Sequence, residues 1–417
     1  RRQRQMCIRD SLIYMINGHC DEKFSELKKI LEQQLNSDFE LGASVAVEWK
    51  GKEVVNLYGG YKDENKNSKW NENTIVNVFS VTKAISGICI TRLIDEGLLD
   101  VNKNVGHYWP EYACNGKENT KVIDFLTHRA GMFGFENDIP QASWNDWDVY
   151  VKALEKQKPF VTPGSSQGYH AVTFAWLVGE LFKRVEGRTI GRYFKEEIAE
   201  PLDIDFHIGL NEDQINRCAS ITSFDRLDSI KPPVDFIKFI PNFVLNDELI
   251  NLKKSLKSKH FLKAFMPEPF QENDVNSIDF RSAELPAGNG HGTAAGLAKL
   301  FGILATGCNR DNIKIMDDKT LDQATRVYSS GPDSVLFGVK LKFGYCFMLD
   351  GNKKSNINFA PIFYEGTFGH AGIGGSVAFG DKKNQLGYSF VCNKQQKSSS
   401  LYKTSNMLTK ALYDAIS

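Results

Sequence analysis

A serine and a lysine three residues apart, Ser80 and Lys83, form the pair in this sequence best suited to chemistry. Side chains at positions i and i+3 of a helix lie on the same face, one turn apart. At that spacing a lysine amine can reach a serine hydroxyl, and a weak nucleophile of this kind needs a nearby base to take its proton. The pair therefore predicts a serine nucleophile with a lysine as its general base.

The residues after Ser80 predict a buried helix that would change the chemistry of Lys83. Apolar side chains occur nearly all round the helix between residues 84 and 98, and Gly97 is expected to cap its C-terminus. Burial disfavours the charged form of a lysine, so the pKa of Lys83 should fall toward neutral. A helix N-terminus also stabilises negative charge, which would help an oxyanion that forms beside Ser80.

The same serine–lysine spacing occurs at two other places that we expect to be structural. Ser25 and Lys28, and likewise Ser400 and Lys403, lie in polar terminal segments with amphipathic helical periodicity. Their side chains would face water, where a lysine keeps its proton and does not serve as a base. The spacing therefore predicts catalysis only at Ser80.

A third serine motif resembles a nucleophile elbow. Residues 164–168 read Gly-Ser-Ser-Gln-Gly and match the Gly-x-Ser-x-Gly pattern, with Ser166 at its centre. That elbow needs a strand directly before it and a helix directly after it. The segment before it is short and flanked by Pro159 and Pro163, so the sequence favours a loop and leaves Ser166 as a minor alternative.

Tyr169 is a candidate proton carrier for Ser80. We expect it at the start of a helix that runs over residues 172–185, where a tyrosine near a lysine could titrate low enough to move a proton. The alternative is a buried tyrosine with a satisfied hydroxyl. Its neighbour His170 is expected to be structural.

A glycine-rich segment at residues 369–375 contains His370 and precedes an expected strand at residues 376–379. Backbone without side chains can approach a substrate closely, and one of its N–H groups could face the site. The alternative is a β-bulge or an edge turn that contains a histidine by chance.

Composition excludes several classes of function. Acidic and basic residues balance at 51 each, and no basic stripe with interleaved aromatic residues occurs, so we predict no nucleic-acid partner. The longest apolar runs fall far short of the roughly 18 residues that a transmembrane helix needs. The eight histidines show no metal-binding spacing, so neither a metal nor a cofactor is predicted.

The eight cysteines are widely scattered and form no Cys-x-x-Cys motif. Such a pattern predicts reduced, packed thiols, and with no secretory signal visible it indicates a cytoplasmic protein. Residues 1–16 have a basic, aperiodic start and are expected to be a leader outside the fold. The sequence leaves homo-oligomerisation open.

Strands at both ends of the chain and helices between them predict an α+β fold. We expect an antiparallel sheet flanked by helices, an inserted and mostly helical domain, and an active site in the groove between the two. The sheet domain is predicted at residues 17–100 and 288–417, and the helical domain at 101–287 with a variable rim at 222–280. Strands are expected at residues 43–49, 53–58, 343–349, 375–379 and 387–392, and clear helices at 21–35, 120–126, 294–305 and 400–416.

Six segments, taken in order along the chain, resemble blocks of the serine β-lactamase and penicillin-binding-protein superfamily. The likeness is greatest to its class C-like family VIII carboxylesterases, and it extends from about residue 18 to residue 416. The six segments are residues 78–83, 126–131, 163–173, 201–203, 286–294 and 369–372.

The resemblance implies a β-lactamase/transpeptidase-like fold and a set of roles. Ser80 would be the acylated nucleophile, and Lys83 would activate it. Tyr169 would pass the proton to the leaving group and then help to activate the deacylating water. The backbone N–H groups of Ser80 and Ile373 would form the oxyanion hole.

Two departures from the penicillin-handling members concern the substrate. Those members have an asparagine where this chain has Ala171, which offers no side-chain hydrogen bond to a substrate amide. They have Lys-Thr-Gly where this chain has His370, Ala371 and Gly372, and a histidine with an unperturbed pKa of about 6.5 is largely neutral at pH 7. Each lost charge-assisted bond to a carboxylate would cost about 1.5–3 kcal/mol, so both changes favour neutral esters.

Three hypotheses for the function follow. The first is a serine hydrolase that cleaves small-molecule carboxylic esters of small, fairly apolar acyl groups through a Ser80 acyl-enzyme. The second is a β-lactamase, a peptidase acting on D-residues, or an acyltransferase of the same superfamily. The third is a non-catalytic scaffold or assembly subunit, which the intact set of Ser80, Lys83 and Tyr169 disfavours.

Overall fold

The computed structural model describes residues 16–137, 139, 143–223, 241, 253, 260–265, 274–336, 338–350 and 360–417. The expected leader at residues 1–16 lies almost wholly outside these residues, and so does most of the expected rim at 222–280.

An antiparallel sheet forms the centre of the fold. The described strands, numbered in chain order, are β1 (Asn17–Cys20), β2 (Gly42–Trp49), β3 (Lys52–Gly60), β4 (Val76–Asn77), β5 (Phe206–Ile208), β6 (Gly290–Gly292), β7 (Asn309–Arg310), β8 (Ile313–Lys314), β9 (Ser329–Pro332), β10 (Lys340–Phe343), β11 (Met348–Leu349), β12 (Thr367–Ala371), β13 (Val377–Asp381) and β14 (Leu386–Cys392). The central sheet has the order β1-β3-β2-β14-β13-β12-β11-β10-β9. Strands from both ends of the chain therefore meet in the middle of one sheet, where β2 pairs with β14.

The described α-helices connect and cover these strands. They are α1 (Ser25–Asn36), α2 (Val81–Asp95), α3 (Val122–Leu126), α4 (Trp147–Lys156), α5 (Phe174–Glu186), α6 (Ile190–Phe194), α7 (Glu212–Arg217), α8 (His260–Phe265), α9 (Ile278–Ser282), α10 (Ala294–Ala305), α11 (Asp318–Ala324) and α12 (Lys403–Ile416). The helices α3 to α9 lie between the two groups of sheet strands in the sequence.

The central strands are buried on both faces because alternate residues enter two separate apolar clusters. Val45 of β2 packs in one cluster with Leu31 of α1 and Leu408 of α12. The adjacent Ala46 belongs to the other cluster, together with Leu297 of α10. Helices α1 and α12 therefore cover one face and α10 the other, and the predicted α+β class of the β-lactamase/transpeptidase type is confirmed.

Helix α2 is buried as its apolar sequence predicts, with every residue from Val81 to Thr91 shielded from solvent. It packs against β12 of the sheet on one side and against α5 and α6 on the other. Residues near its start are therefore placed where the sheet and the helical segment meet. The domain division at residues 100 and 288 stays a prediction.

Several sequence-based expectations need correction. The prediction of one strand over residues 343–349 is wrong. Two short strands, β10 and β11, pair there and are joined by a turn in which Cys346 has a φ of 61°. His370 and Ala371 lie within β12 rather than in a turn before a strand. A small sheet of order β4-β6-β5 was not expected, and it joins the helical segment to the strand before Ser80.

Other expectations agree with the structure. The helix predicted at residues 294–305 has those bounds in α10. Gly97 has a φ of 73° just beyond α2, as a helix-capping glycine should. Across the described ranges, no helix combines the length and apolar character needed to cross a membrane. A cytoplasmic location and homo-oligomerisation stay predictions.

Candidate active site

The backbone before Ser80 is held in an unusual conformation. Phe79 has a φ of 47°, in the left-handed region that few non-glycine residues adopt. Its N–H donates to the side-chain oxygen of Asn77 at 2.8 Å, and its carbonyl accepts from the Thr82 hydroxyl at 2.5 Å. The Val78 N–H donates to the carbonyl of Gly290 in β6 at 2.9 Å. Local hydrogen bonds thus fix Ser80 at the N-terminus of α2.

Lys83 is fully buried, and the number of its hydrogen-bond partners bears on its protonation state. Its Nζ donates to the carbonyl oxygens of Ala171 and Ala287, each at 2.8 Å. The same Nζ lies 3.2 Å from the Ser80 hydroxyl oxygen. A neutral amine has two N–H bonds and one lone pair, so the two carbonyls can take both hydrogens and leave the lone pair facing Ser80.

Burial is the main electrostatic influence on Lys83. It lowers the pKa of the amine well below the usual lysine value, and the nearby Cys346 thiol opposes this shift. Among the described residues, no carboxylate forms an ion pair with Lys83 that would stabilise its charged form. The arrangement suits an amine that accepts a proton at neutral pH.

Tyr169 contributes a phenol on the other side of Ser80. Its hydroxyl is hydrogen-bonded to the Ser80 side chain, and its ring centroid lies 5.0 Å from Lys83 Nζ. The expectation of a low pKa is wrong in direction, because burial raises the pKa of Tyr169. Tyr169 also precedes α5 in a loop rather than starting the helix, and its backbone N–H donates to Asp333 at 3.1 Å.

A turn after β12 brings a second backbone N–H next to Ser80. The Gly375 N–H donates to the Gly372 carbonyl at 2.9 Å, which fixes the peptide that carries the Ile373 N–H. A Cβ at Gly372 would lie only 2.2 Å from the Val78 carbonyl oxygen, so only glycine allows this approach. Within the described residues, the N–H groups of Ser80 and Ile373 donate no hydrogen bond.

Two side chains hold this turn from behind. The Gln395 side-chain N–H donates to the Ile373 carbonyl at 3.2 Å, and the Cys392 thiol donates to the Gly374 carbonyl at 3.2 Å. Sequence patterns did not indicate either residue, because a glutamine and a cysteine that bind backbone from a distant strand leave no local signal.

His370 is buried beside Tyr169, with ring centroids 6.1 Å apart. Burial lowers its pKa to about 3, so the ring is neutral as expected. Its Nδ1 lies 2.8 Å from the Ala371 carbonyl oxygen and 2.9 Å from the Ala371 backbone nitrogen, so either tautomer of the ring finds a partner at Nδ1. The Nε2 of the same ring is buried and has no protein partner among the described residues.

The remaining sequence candidates have other surroundings. The Nε2 of His170 accepts from the Met132 N–H at 3.1 Å, which fits the structural role expected for it. Ser166 lies in a loop with no strand directly before it and lines neither cavity beside Ser80. No group of three or more His, Cys, Asp or Glu side chains in the described part of the chain is arranged to hold a metal ion.

Two apolar chambers meet at Ser80, and both are also lined by Ile373 and Phe265. The first, called the Trp144 chamber, has a volume of about 80 Å³, and its other walls include Trp144, Val172, Ala175, Val275, Phe280 and Leu285. The second, called the Tyr402 chamber, has a volume of about 120 Å³, and its other walls include Tyr169, His370, Leu336, Leu341, Met348 and Tyr402.

The structure also shows site residues that sequence patterns did not. Ala287 matters through its carbonyl, which no side-chain motif marks, although it lies within one of the six resembling segments. Phe265 and Phe280 fall in the segment expected to form a rim, and they line the site as that expectation implied.

A buried amine and a phenol that converge on one serine, at the junction of a sheet and a helical segment, define a serine hydrolase site. The Beta-lactamase family model matches residues 27–409, and the chain therefore belongs to that family.

Three similar proteins match this chain over most of its length. The esterase/beta-lactamase LipL of Mycobacterium tuberculosis (strain ATCC 25618 / H37Rv) is 31% identical over 362 residues, which cover 85% of this chain and 77% of LipL. A penicillin-binding protein homolog from Caulobacter crescentus is 32% identical with a TM-score of 0.81, covering 96% of this chain and 100% of that one. The crystal structure of a family VIII carboxylesterase is 30% identical with a TM-score of 0.81 and the same coverage.

Proposed function

We infer that this hydrolase cleaves carboxylic esters of small, fairly apolar acyl groups through an acyl-enzyme on Ser80. The observation that carries this inference is the position of Lys83, whose two N–H bonds are directed to backbone carbonyls while its Nζ lies 3.2 Å from the Ser80 hydroxyl oxygen. A buried neutral amine so placed is a general base for a serine.

Acylation begins when the Ser80 oxygen attacks the ester carbonyl carbon and its proton passes to the neutral Lys83 amine. The carbonyl oxygen becomes an oxyanion that the N–H groups of Ser80 and Ile373 stabilise. As the bond from carbon to the alcohol oxygen breaks, the Tyr169 hydroxyl donates its proton to that oxygen, and the Lys83 ammonium returns a proton to the phenolate. A phenol with a raised pKa is protonated at neutral pH and can make this donation.

Deacylation reverses these proton movements with water in place of the alcohol. Tyr169 and Lys83 together take a proton from a water molecule as it attacks the acyl carbon. The Ser80 oxygen then leaves and regains a proton, which releases the carboxylic acid and restores the enzyme.

The lining of the site supports esters over charged substrates. Among the described residues that line the two chambers there is no lysine, arginine, aspartate or glutamate. Ala171 presents a methyl group and His370 is neutral, so neither supplies a charge for a substrate carboxylate. LipL is named an esterase/beta-lactamase and one similar structure a family VIII carboxylesterase, which agrees with ester cleavage.

Single-turnover mass spectrometry with 4-nitrophenyl acetate tests the proposal. We expect one acetyl group on the peptide that contains Ser80, and no acetylation and no turnover in Ser80→Ala. Ser166→Ala is the matched control and should acetylate normally. Acetylation of Ser166, or unchanged turnover in Ser80→Ala, would refute the proposed site and would also leave the scaffold hypothesis open.

Cleavage of β-lactams is the second candidate function, because LipL carries both activities in its name. Nitrocefin and simple phenyl esters should be compared at matched enzyme concentration. We expect the larger kcat/KM for the esters, and a larger value for nitrocefin would reverse the order of the two functions.

A further inference from the structure

The two chambers beside Ser80 differ in which catalytic group they contain. Tyr169 lines the Tyr402 chamber and is absent from the described lining of the Trp144 chamber. Ser80, Ile373 and Phe265 line both chambers, so the reacting carbonyl would lie at their junction. A substrate that extends on both sides of its carbonyl must therefore place one part in each chamber.

The position of Tyr169 decides which part goes where. The alcohol oxygen needs a proton when its bond to the carbonyl carbon breaks, and the Tyr169 hydroxyl, which is hydrogen-bonded to Ser80, is the group placed to donate it. The alcohol must therefore lie on the Tyr169 side, in the Tyr402 chamber. The acyl chain is left with the Trp144 chamber, between Trp144, Val172 and Phe280.

The walls of the Tyr402 chamber restrict the chemistry of the alcohol. Leu336, Leu341 and Met348 supply aliphatic surface, and no charged side chain occurs among its described lining residues. An ammonium or carboxylate bound there would lose water and gain no counterion, which is unfavourable. An apolar alcohol would instead gain from removing its surface from water.

One polar atom in this chamber has no protein partner. His370 Nε2 is buried and has no hydrogen-bond partner among the described residues, whereas Nδ1 of the same ring contacts the Ala371 backbone. Buried polar atoms in proteins are normally satisfied, so an orphaned ring nitrogen in a binding chamber indicates that a ligand supplies its partner. A neutral ring suits an uncharged polar group.

We propose that the substrate is an ester of an apolar, uncharged alcohol, that this alcohol occupies the Tyr402 chamber, and that His370 Nε2 forms a hydrogen bond with an uncharged polar group on the alcohol side. This inference rests on the proposed esterase function and adds the alcohol as the part that the enzyme selects. The bond from carbon to the alcohol oxygen breaks, Tyr169 protonates that oxygen, and the neutral alcohol leaves through the same chamber.

Three acetate esters of similar size separate charge from shape: 3,3-dimethylbutyl acetate, its cationic isostere acetylcholine, and the anionic 3-acetoxypropanoate. All three form the same acetyl-Ser80, so differences in kcat/KM arise before or during acylation. After each value is divided by the rate of hydroxide-catalysed hydrolysis, we expect the neutral ester to exceed both charged esters by at least tenfold. A charged ester that equals or exceeds the neutral one would overturn the inference.

A cation placed in the chamber should change this preference. Leu336→Lys adds an amine at a half-buried position, and we expect it to raise kcat/KM for 3-acetoxypropanoate relative to the neutral ester by about tenfold. His370→Lys should act in the same direction if it folds. Val172→Phe is the matched control in the Trp144 chamber: it should disfavour butanoate against acetate and leave the order of the three alcohols unchanged. Loss of the alcohol order in this control would also contradict the assignment of the chambers.

Mass spectrometry of the same samples should also monitor acetylation of Ser80, because it distinguishes failure of the alcohol inference from failure of the proposed esterase function. Acetyl-Ser80 with a preference for a charged alcohol would refute only the alcohol inference. Turnover without acetyl-Ser80 would refute the proposed function on which it rests.

Discussion

Lys83 and Lys117 are both buried, and each amine donates to two backbone carbonyls. Their surroundings differ on the side of the nitrogen that faces neither carbonyl. Lys83 holds the carbonyls of Ala171 and Ala287 and lies beside the Ser80 hydroxyl. Lys117 holds the carbonyls of Glu155 and Gln157, at 3.0 and 2.5 Å.

The charges near the two amines differ as well. Burial lowers the pKa of Lys117, and the Cys114 thiol and the carboxylates of Glu118 and Glu155 oppose that shift. Burial lowers the pKa of Lys83 with only the Cys346 thiol opposing it. Two buried lysines with the same number of backbone partners thus differ in how strongly their charged forms are supported.

Burial and hydrogen bonds to backbone carbonyls do not by themselves make a lysine a base. Both amines satisfy those conditions. What separates Lys83 is a nucleophile in the direction of its lone pair and the lack, among the described residues, of an ion-paired carboxylate. Lys117 instead stabilises the C-terminal end of α4, since that helix ends at the residues whose carbonyls Lys117 binds.

The largest expected effect comes from replacing each lysine by methionine. Lys83→Met should lower kcat/KM for esters by about 10³–10⁴-fold, because it removes the general base. Lys117→Met should leave kcat/KM of the folded protein within about threefold and destabilise it by about 1–3 kcal/mol, because the Gln157 carbonyl loses its lysine donor while the Glu155 carbonyl keeps only the Cys114 thiol of its two side-chain donors. Steady-state kinetics and urea unfolding of both variants measure this, and comparable activity losses would break the distinction.

The next effect concerns the phenol of Tyr169, which is hydrogen-bonded to Ser80 beside Lys83. A tyrosine also lies beside Lys117, where the Tyr112 ring centroid is 5.3 Å from Nζ. Tyr169→Phe should lower kcat/KM for alkyl esters by about 10²–10³-fold, and much less for 4-nitrophenyl esters, whose leaving group needs no proton. Tyr402→Phe, another buried tyrosine of the same chamber, is the control and should show no such dependence on the leaving group. Equal losses for both ester types in Tyr169→Phe would contradict its role as proton donor.

A smaller effect is expected at a buried carboxyl group, that of Glu40, whose pKa burial shifts in the opposite direction to that of the two lysines. Burial raises the pKa of Glu40 from 4.5 to about 7, although the Thr404 hydroxyl and the charges of Lys394 and Lys403 oppose the shift, and its Cys392 neighbour is a neutral thiol. A carboxyl with a raised folded-state pKa penalises folding as pH rises from 4.5 through 7, by up to about 3 kcal/mol. Glu40→Gln should therefore gain stability relative to the wild type at pH 8 and little at pH 4.5, measured by urea unfolding. An unchanged difference between the two pH values would exclude this account.

Parts of the fold with a strong periodic pattern could be predicted from the sequence. The apolar run after Ser80 gave α2, and the regular spacing at residues 294–305 gave the bounds of α10. The glycines around His370 suggested a turn, whereas pairing with β13 draws His370 and Ala371 into β12. Strand pairing across a sheet is a long-range effect that a local pattern does not contain.

In the candidate site, as in the fold, local patterns could be predicted from the sequence and long-range contacts could not. The types and spacing of Ser80 and Lys83 could be read from the sequence, which also offered Tyr169 as a candidate, and the resemblance gave Tyr169 a specific role. The carbonyls that fix the protonation state of Lys83 could not, because backbone atoms of Ala171 and Ala287 carry no sequence signal. The direction of the Tyr169 pKa shift was also missed, since it depends on burial by distant segments.

Neutron diffraction from deuterium-exchanged crystals near pH 7.5 would show whether Lys83 is a neutral amine whose lone pair faces Ser80. We expect two deuterons on Lys83 Nζ, one toward each of the Ala171 and Ala287 carbonyls, and a deuteron on the Ser80 oxygen directed at Nζ. Lys117 in the same crystal should carry three. Three deuterons on Lys83, with one directed at the Ser80 oxygen, would contradict the account.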